Sequence, residues 1–459
     1  MSGLTSLWLT KDGDGRIAVD PATGLNPYGC PPKPDPALLD FGSATASVIS
    51  ETAFAAAERL CRLLLPSGRA VPDPADLHRE TARIGDELLH LCGLPAREGI
   101  RVFLTASGTD AHRLASEWAW AGSDRPPYIL AMEPNESGRG VPDALCAPSH
   151  GTLMPMRVRD DSGLLRPQAA VDGDVLAAAR QAFSEHRPLF AVLTDVSKTG
   201  LVAPRRVVLQ ELERQAGQPV PVLVDASQFR LAPASLKSYL NQGYLVALTG
   251  SKFVGGPSFS GALLVPRNFP APLSIPPSPP LPLGQLLRWE AALAELRQFR
   301  TLPENHVRDF FRKFASTVTA HIAHHPQLEA LPSGAPSRDL SAESPGWDNL
   351  QTIFPFLLGH PGTQASDLLA PQEMQAVFRR LPEIRSSGAE GAIRGRLGQP
   401  VDCGLRQNKP ISALRLCVSA RHAVHAINNG PRGAEQIVAQ ACAVLDEAAK
   451  IAGKLREKP

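Results

Sequence analysis

The sequence predicts an α/β protein built on a mainly parallel sheet, and three observations predict it. Between residues 101 and 265, short apolar runs alternate with stretches of helical period. Several of those runs are apolar throughout rather than at every second residue, as strands covered on both faces are. A proline-rich stretch then closes the region before two more helical patterns begin. Strand–helix alternation of this kind is the pattern of parallel α/β layers, in which the carboxyl ends of the strands border a ligand crevice.

Taken in order, residues 1–47 read as irregular, with turn signals at Asp12-Gly13 and Asp14-Gly15 and prolines between 31 and 36. Helical periodicity runs from Glu51 to Leu65, where Pro66 stops it, and again from Pro74 to Gly93. The expected strands are Arg101–Thr105, Tyr128–Met132, Phe190–Asp195, Val220–Asp225, Tyr244–Thr249 and Gly261–Val265. Helices are expected between them, over Asp110–Ala121, Val175–Glu185 and Arg206–Ala216. Pro266–Pro282 holds eight prolines, which exclude a regular helix or a central strand, so it reads as an extended connector. Helical patterns over Gly284–Arg300 and Glu304–Ala323 follow, then a Ser/Pro/Gly-rich loop at 333–347. The last pattern is an amphipathic helix with Ile437, Ala441, Val444, Leu445, Ala448, Ile451 and Leu455 on one stripe.

Composition narrows the function classes. A chain of 459 residues implies two or three domains. A net charge of +2 gives no general electrostatic basis for binding nucleic acid or an anionic membrane. No run approaches the roughly 18 apolar residues of a membrane span. The segment Met1–Arg16 carries Lys11, Asp12 and Asp14 where a signal peptide needs an apolar run. Seven scattered cysteines without a C-x-x-C pair point to reduced thiols and a cytoplasmic setting.

Three segments carry chemistry. The first, Leu104-Thr105-Ala106-Ser107-Gly108-Thr109-Asp110, leaves a strand and opens a helix. Free N–H groups and the positive dipole end suit an anion there, with Gly108 allowing close approach and Thr109 adding a hydroxyl; taken alone, however, the segment reads better as an ordinary helix cap. The second, Val222-Leu223-Val224-Asp225, ends an apolar strand in a carboxylate. A buried Asp225 needs a cationic partner, such as a protonated ring nitrogen, or it is a helix-capping residue. The third is Val246-Ala247-Leu248-Thr249-Gly250-Ser251-Lys252. A lysine at a crevice rim can lose its proton and form a Schiff base, and Thr249 and Ser251 can bond a phosphate; the alternative is a solvated surface lysine. The apolar and glycine neighbours Phe253, Val254, Gly255 and Gly256 favour the crowded setting. A Walker A loop and a Gly-x-Gly-x-x-Gly fingerprint are both absent from the sequence.

The order of these segments resembles the aspartate-aminotransferase superfamily, fold type I of the pyridoxal 5′-phosphate (PLP) enzymes. Within it the sequence is most similar to the class V branch, which includes cysteine desulfurases, kynureninase and phosphoserine aminotransferase. The motifs that carry the resemblance spread from about residue 39 to 421. They include Gly256-Pro257 and Gly261-Ala262-Leu263 downstream of the lysine.

The resemblance implies a PLP-dependent transferase fold, with a seven-stranded, mostly parallel sheet domain and a smaller α+β domain. It implies a large PLP-binding domain over 48–283 and a small domain over 284–459. Residues 1–47 would contribute to the small domain and the active site, and a homodimer would line each site from both subunits.

The resemblance also assigns residues. Gly108, Thr109, Thr249 and Ser251 would hold the phosphate, and Lys252 would anchor the cofactor. Asp225 would pair with the ring nitrogen, and Ser197 and Gln228 would contact the ring oxygen. Arg415 would clamp the substrate α-carboxylate, and Thr45 lies in the segment reaching the substrate. The branch usually places a histidine or aromatic ring over the cofactor, yet 133–138 offers none. Cys403 does not match the context of the desulfurase nucleophile and reads as structural.

The expected activity is therefore chemistry at Cα of an amino acid, with Lys252 as general base. Without a convincing nucleophilic cysteine, transamination is the first expectation. A lyase acting on a β-substituted amino acid is the alternative. A silent binding subunit is the third reading, and it would be expected to lose Lys252 or Asp225. The pairs His321/His324–His325 and His422/His425 lack an acidic or cysteine partner in sequence and read as helix-surface histidines rather than metal ligands. Trp118, Trp120 and Trp289 read as packing residues.

Overall fold

The computed structural model describes residues 2–66, 69–94, 99–120, 124–269, 278–338, 346–360, 368–383 and 393–455. The middle of the proline-rich connector (270–277) and most of the Ser/Pro/Gly-rich loop (339–345) lie outside the described residues.

The strands, in chain order, begin with β1 (Leu39–Phe41), β2 (Arg101–Thr105), β3 (Tyr128–Met132), β4 (Thr152–Met156) and β5 (Leu189–Asp195). They continue with β6 (Val202–Ala203), β7 (Val222–Ala226), β8 (Leu245–Thr249) and β9 (Gly261–Val265). The last four are β10 (Leu328–Ala330), β11 (Ile353–Leu358), β12 (Gly395–Arg406) and β13 (Lys409–Cys417). The large sheet runs β2-β9-β8-β7-β5-β3-β4, with the two-residue β6 added antiparallel to β5. All neighbours from β4 to β8 are parallel, and β9 runs antiparallel to both β8 and β2. The carboxyl ends of β2, β3, β5, β7 and β8 therefore share one edge, and β9 starts from it.

The six strands expected from sequence are all present, with ends that move by no more than two residues. β7 and β8 are buried throughout, which accounts for their unbroken apolar runs. The seventh strand of the path, β4, was not expected. It is a half-exposed edge strand containing Pro155, so it shows neither a continuous apolar run nor clean alternation.

The second sheet runs β1-β12-β13-β11-β10. β1 pairs parallel with β12, Leu39 opposite Gly395, so the early chain is tied to the late chain. Residues 1–47 are thus not wholly irregular: they hold β1 and a helix at Ser2–Leu9. Both are short elements stabilised from outside, the helix by packing on helices Glu51–Leu64 and Leu283–Arg300.

Helix Leu283–Arg300 is buried on nearly every side, including Arg288 and Glu295. Its polar groups are satisfied across elements. Arg288 donates to the carbonyls of Leu9, Lys11, Asp12 and Phe259. Glu290 pairs with Arg83 at 2.5 Å and with Arg297 at 2.9 Å. Trp289 is buried and donates to the Gly261 carbonyl, and Trp118 packs edge-on against Phe103.

Candidate functional site

A cavity of about 560 Å³ opens at the carboxyl edge of the large sheet. The register explains what meets there. Thr105 and Thr249 both stand opposite Gly261, and Asp225 lies between Thr194 and Ala247. Each of these strands delivers its next few residues to the same edge.

Gly108 and Thr109, at the start of helix Gly108–Trp120, line the cavity with Ser227, Thr249 and Ser251. A Cβ on Gly108 would lie 3.0 Å from both Ser227 Oγ and Thr249 Cγ2, so glycine keeps this cradle open. Ser107 Oγ donates to Asp110 Oδ2 at 2.7 Å and accepts from the Asp110 N–H at 3.4 Å, so a capping arrangement occupies Ser107. Thr249 Oγ1 donates to the Ser227 carbonyl at 2.7 Å, locking the end of β8 to the loop after β7.

Asp225 lines the cavity and is buried. Its Oδ1 accepts from Ser227 N at 3.1 Å and from Ser227 Oγ at 2.5 Å, and its Oδ2 stands 3.3 Å from His112 Nε2. Burial alone would raise the carboxyl pKa, but His112, Ser227 and Lys252 together hold it well below the usual range. His112 Nδ1 lies 2.6 Å from the Gly108 carbonyl, so that nitrogen carries a proton and Nε2 faces the carboxylate. Burial opposes the imidazolium, yet Asp225 overrides it and raises the His112 pKa. His112 was not expected from sequence. Its spacing of four from Gly108 puts it one helical turn inside the cradle, and that was the available signal.

Lys252 also lines the cavity. Burial lowers its pKa, Arg415 and Arg230 lower it further, and Asp225 opposes them. Arg415, on β13, is buried and lines the cavity from the second sheet. It donates to the Gln399 carbonyl at 2.7 and 3.1 Å and to Thr45 Oγ1 at 2.9 Å. No carboxylate among the described residues pairs with it.

Ser197 and Gln228 are brought near but not into the cavity wall. Ser197 is buried and donates to Glu136 Oε2 at 2.6 Å, so its hydroxyl is committed behind the wall rather than free for a ring oxygen. Gln228 Nε2 donates to the Ala44 carbonyl at 3.1 Å. Lys198 lines the cavity instead of Ser197. Glu136 and Lys198 carry charge at this wall and went unassigned in the sequence, because only long-range contacts reveal their roles. In the segment 133–138, Pro134, Asn135, Ser137 and Gly138 line the cavity and bring no ring.

None of the seven cysteines lines the cavity. Cys403 is buried beside Val401 and Ile411, its thiol 3.0 Å from the Val401 carbonyl, and burial pushes its pKa up to about 12. His321 does have an acidic partner: Asp446, from the terminal helix, approaches Nε2 at 2.8 Å and stands 3.8 Å from His325. Even so, no group of three or more metal-ligating side chains forms among the described residues. His422 stacks on Phe41 at 4.4 Å and caps its own helix through Nδ1. No described helix is long and apolar enough to cross a membrane.

No protein-family model matches the sequence, and no curated protein resembles it in sequence. Solved structures do match. An apo cysteine desulfurase from Thermococcus onnurineus NA1 aligns at 13% identity and TM-score 0.54, covering 90% of this chain and 95% of the other. A NifS-like protein from Rickettsia africae ESF-5 aligns at 13% and 0.53, covering 89% and 99%. A lysine-to-alanine mutant of C-DES, with glycine covalently linked to its PLP cofactor, aligns at 15% and 0.56, also covering 89% and 99%. At these identities the likeness speaks for architecture: the chain has the fold of the NifS-like and cysteine desulfurase structures, which is the type I fold expected from its motifs.

Proposed function

We propose that the protein is a PLP-dependent enzyme acting at Cα of an amino acid, and that the reaction is a lyase-type release of a β-substituent. One observation carries the reading. An ionised carboxylate, a lysine with a lowered pKa, a glycine-opened cradle of hydroxyls and a buried arginine without a carboxylate partner converge on one cavity.

The residues fit the cofactor. The cradle around Gly108, with Thr109, Ser227, Thr249 and Ser251, would hold the phosphate at a helix start. Asp225, kept ionised, would hold a proton on the pyridine nitrogen. Bound PLP supplies a sink for the electron pair left at Cα. Lys252, with its ammonium disfavoured by burial, offers a free amine as covalent anchor and as base for the Cα proton. Arg415 presents a guanidinium that can grip the α-carboxylate, with Thr45 holding its orientation.

Two considerations bear on the reaction type. The neighbour named a cysteine desulfurase supports the lyase reading over transamination. The absence of any cysteine from the cavity lining speaks against an enzyme thiol as sulfur acceptor, which leaves elimination, needing only a leaving group, as the better-supported form.

The first experiment is an absorption spectrum before and after borohydride, with mass mapping of lysines. A band near roughly 410–430 nm that fixes a pyridoxyl group on Lys252 supports the cofactor reading. No band after added PLP overturns it. Product analysis then separates pyruvate, ammonia and a released group from a keto acid plus pyridoxamine phosphate.

A further inference from the structure

The cavity wall carries more positive charge than the proposed chemistry uses. Its lining includes Arg16, Arg139, Lys198, Lys252 and Arg415, against Asp225 and Asp402. Arg16 is neutralised by Asp14, with three nitrogen–oxygen contacts of 2.8–3.0 Å. Asp225 is engaged by His112 and Ser227. Lys252 and Arg415 have the roles given above. Lys198 and Arg139 are left over, against the single carboxylate Asp402.

Lys198 has no carboxylate partner among the described residues, and the reason lies behind the wall. The carboxylate nearest its loop is Glu136, whose carbonyl accepts the Lys198 N–H at 2.9 Å. The Glu136 carboxylate is consumed elsewhere. Its Oε1 takes Arg159 Nε at 2.9 Å and Thr199 Oγ1 at 2.7 Å, and its Oε2 takes Ser197 Oγ at 2.6 Å. Arg159 is thus the counter-ion of Glu136, and Lys198 is excluded from that role. The Lys198 ammonium keeps one hydrogen bond, to the Pro134 carbonyl at 2.8 Å. An ammonium has three donors, so two remain for a ligand.

We propose that the substrate carries a second anionic group on its side chain, and that Lys198, assisted by Arg139, binds it while Arg415 binds the α-carboxylate. This rests on the proposed amino-acid chemistry and narrows it to amino acids with an acidic or phosphorylated side chain. A half-buried amine among other cations is unfavourable without an anion; the lowered pKa of Lys198 reflects burial first, then Arg415 and Lys252. A carboxylate or phosphate group placed there relieves that repulsion and supplies charge-assisted hydrogen bonds.

The test is calorimetric titration of the purified protein with amine-free probes: propionate, succinate and 3-phosphonopropionate. Both dianions carry a second anionic group for Lys198, which lines the same cavity as Arg415, and propionate carries only the one for Arg415. Succinate or 3-phosphonopropionate is expected to bind at least about tenfold tighter than propionate, the worth of one charge-assisted hydrogen bond. The tighter dianion identifies the side-chain group. In Lys198→Met the advantage is expected to fall to about twofold or less, with propionate unchanged, and Arg139→Ala is expected to reduce it by about threefold. Equal binding of all three probes by the unaltered protein, or no binding of any, overturns the inference without reference to a variant. So does an advantage that survives Lys198→Met. Borohydride labelling of Lys252 is scored in parallel. Labelling without dianion preference sinks this inference alone, and dianion preference without labelling sinks the cofactor reading alone.

Discussion

His112 Nε2 stands 3.3 Å from Asp225 Oδ2, one helical turn inside the cradle that begins at Gly108. Both side chains are buried, which disfavours charge on each; facing one another, His112 lowers the Asp225 pKa and Asp225 raises that of His112. The contact arms the cavity with a carboxylate that stays ionised before any ligand arrives.

The pair makes stability depend on pH in a defined window. Asp225 has a lowered pKa, so its contribution is present above the ordinary aspartate value of about 4 and is lost as pH falls through the lowered one. His112 has a raised pKa, so its contribution is complete below about 6.5 and is lost as pH rises through the raised one. His112→Asn in the cofactor-free protein is therefore expected to cost about 3–5 kcal/mol, most between about pH 4 and 6.5. Thermal unfolding of both proteins across pH measures it. A gap that does not vary with pH counts against an ionised pair.

Lys252→Ala removes the proposed anchor and base together. Turnover is expected to fall by about a thousandfold or more, and borohydride labelling should disappear. The melting temperature should hold or rise, since burial already disfavours charge on the amine that is removed. Full turnover in this variant contradicts the assigned role.

Ser197 and Glu136 are expected to behave as wall residues. Ser197→Ala loses a hydrogen bond to a carboxylate, worth about 1.5–3 kcal/mol, while PLP affinity should change by no more than about threefold. Glu136→Gln strands Arg159 and should cost more, about 3–5 kcal/mol. Denaturant titration and cofactor titration, run side by side, decide it. A large affinity loss with unchanged stability returns Ser197 to the cofactor.

Cys403 has a thiol pushed to about 12 by burial, with Glu136 adding to the rise, so at neutral pH it is neither ionised nor reachable. Cys403→Ala is expected to keep turnover within about twofold, against the thousandfold loss typical of a missing nucleophile. Iodoacetamide mapping of the folded protein should leave Cys403 unmodified.

Lys198, lowered to about 7 by burial and by Arg415, Lys252 and Arg139, with Glu136 opposing, must be protonated to bind an anion. Succinate, a full dianion only above about pH 6, is expected to bind most tightly between about pH 6 and 7 and to weaken by about tenfold per pH unit above that. Propionate affinity should show no such step. Calorimetry at four or five pH values would reveal it.

Much of the fold was legible because burial writes itself into local sequence. β7 and β8 are covered on both faces, so their apolar runs are continuous; Gly108 and Lys252 each follow a strand whose end the pattern marks, and Asp225 lies at the end of one. β4 escaped because an edge strand with one half-exposed face needs no such run. The helix at Ser2–Leu9 escaped because eight residues hold a helix only when packed against others.

By itself the sequence determined which strand ends carry a glycine with flanking hydroxyls, a carboxylate and a lysine, since these are properties of short contiguous segments. Only the tertiary structure decided the electrostatics. It paired His112 with Asp225 across 113 positions and gave Glu136 to Arg159, leaving Lys198 uncompensated at the cavity wall. It also gave the Ser197 hydroxyl to Glu136 and the Cys403 thiol to the Val401 carbonyl. A charge's partner is set by distance through space, and the strand register that fixes those distances is a property of the whole sheet.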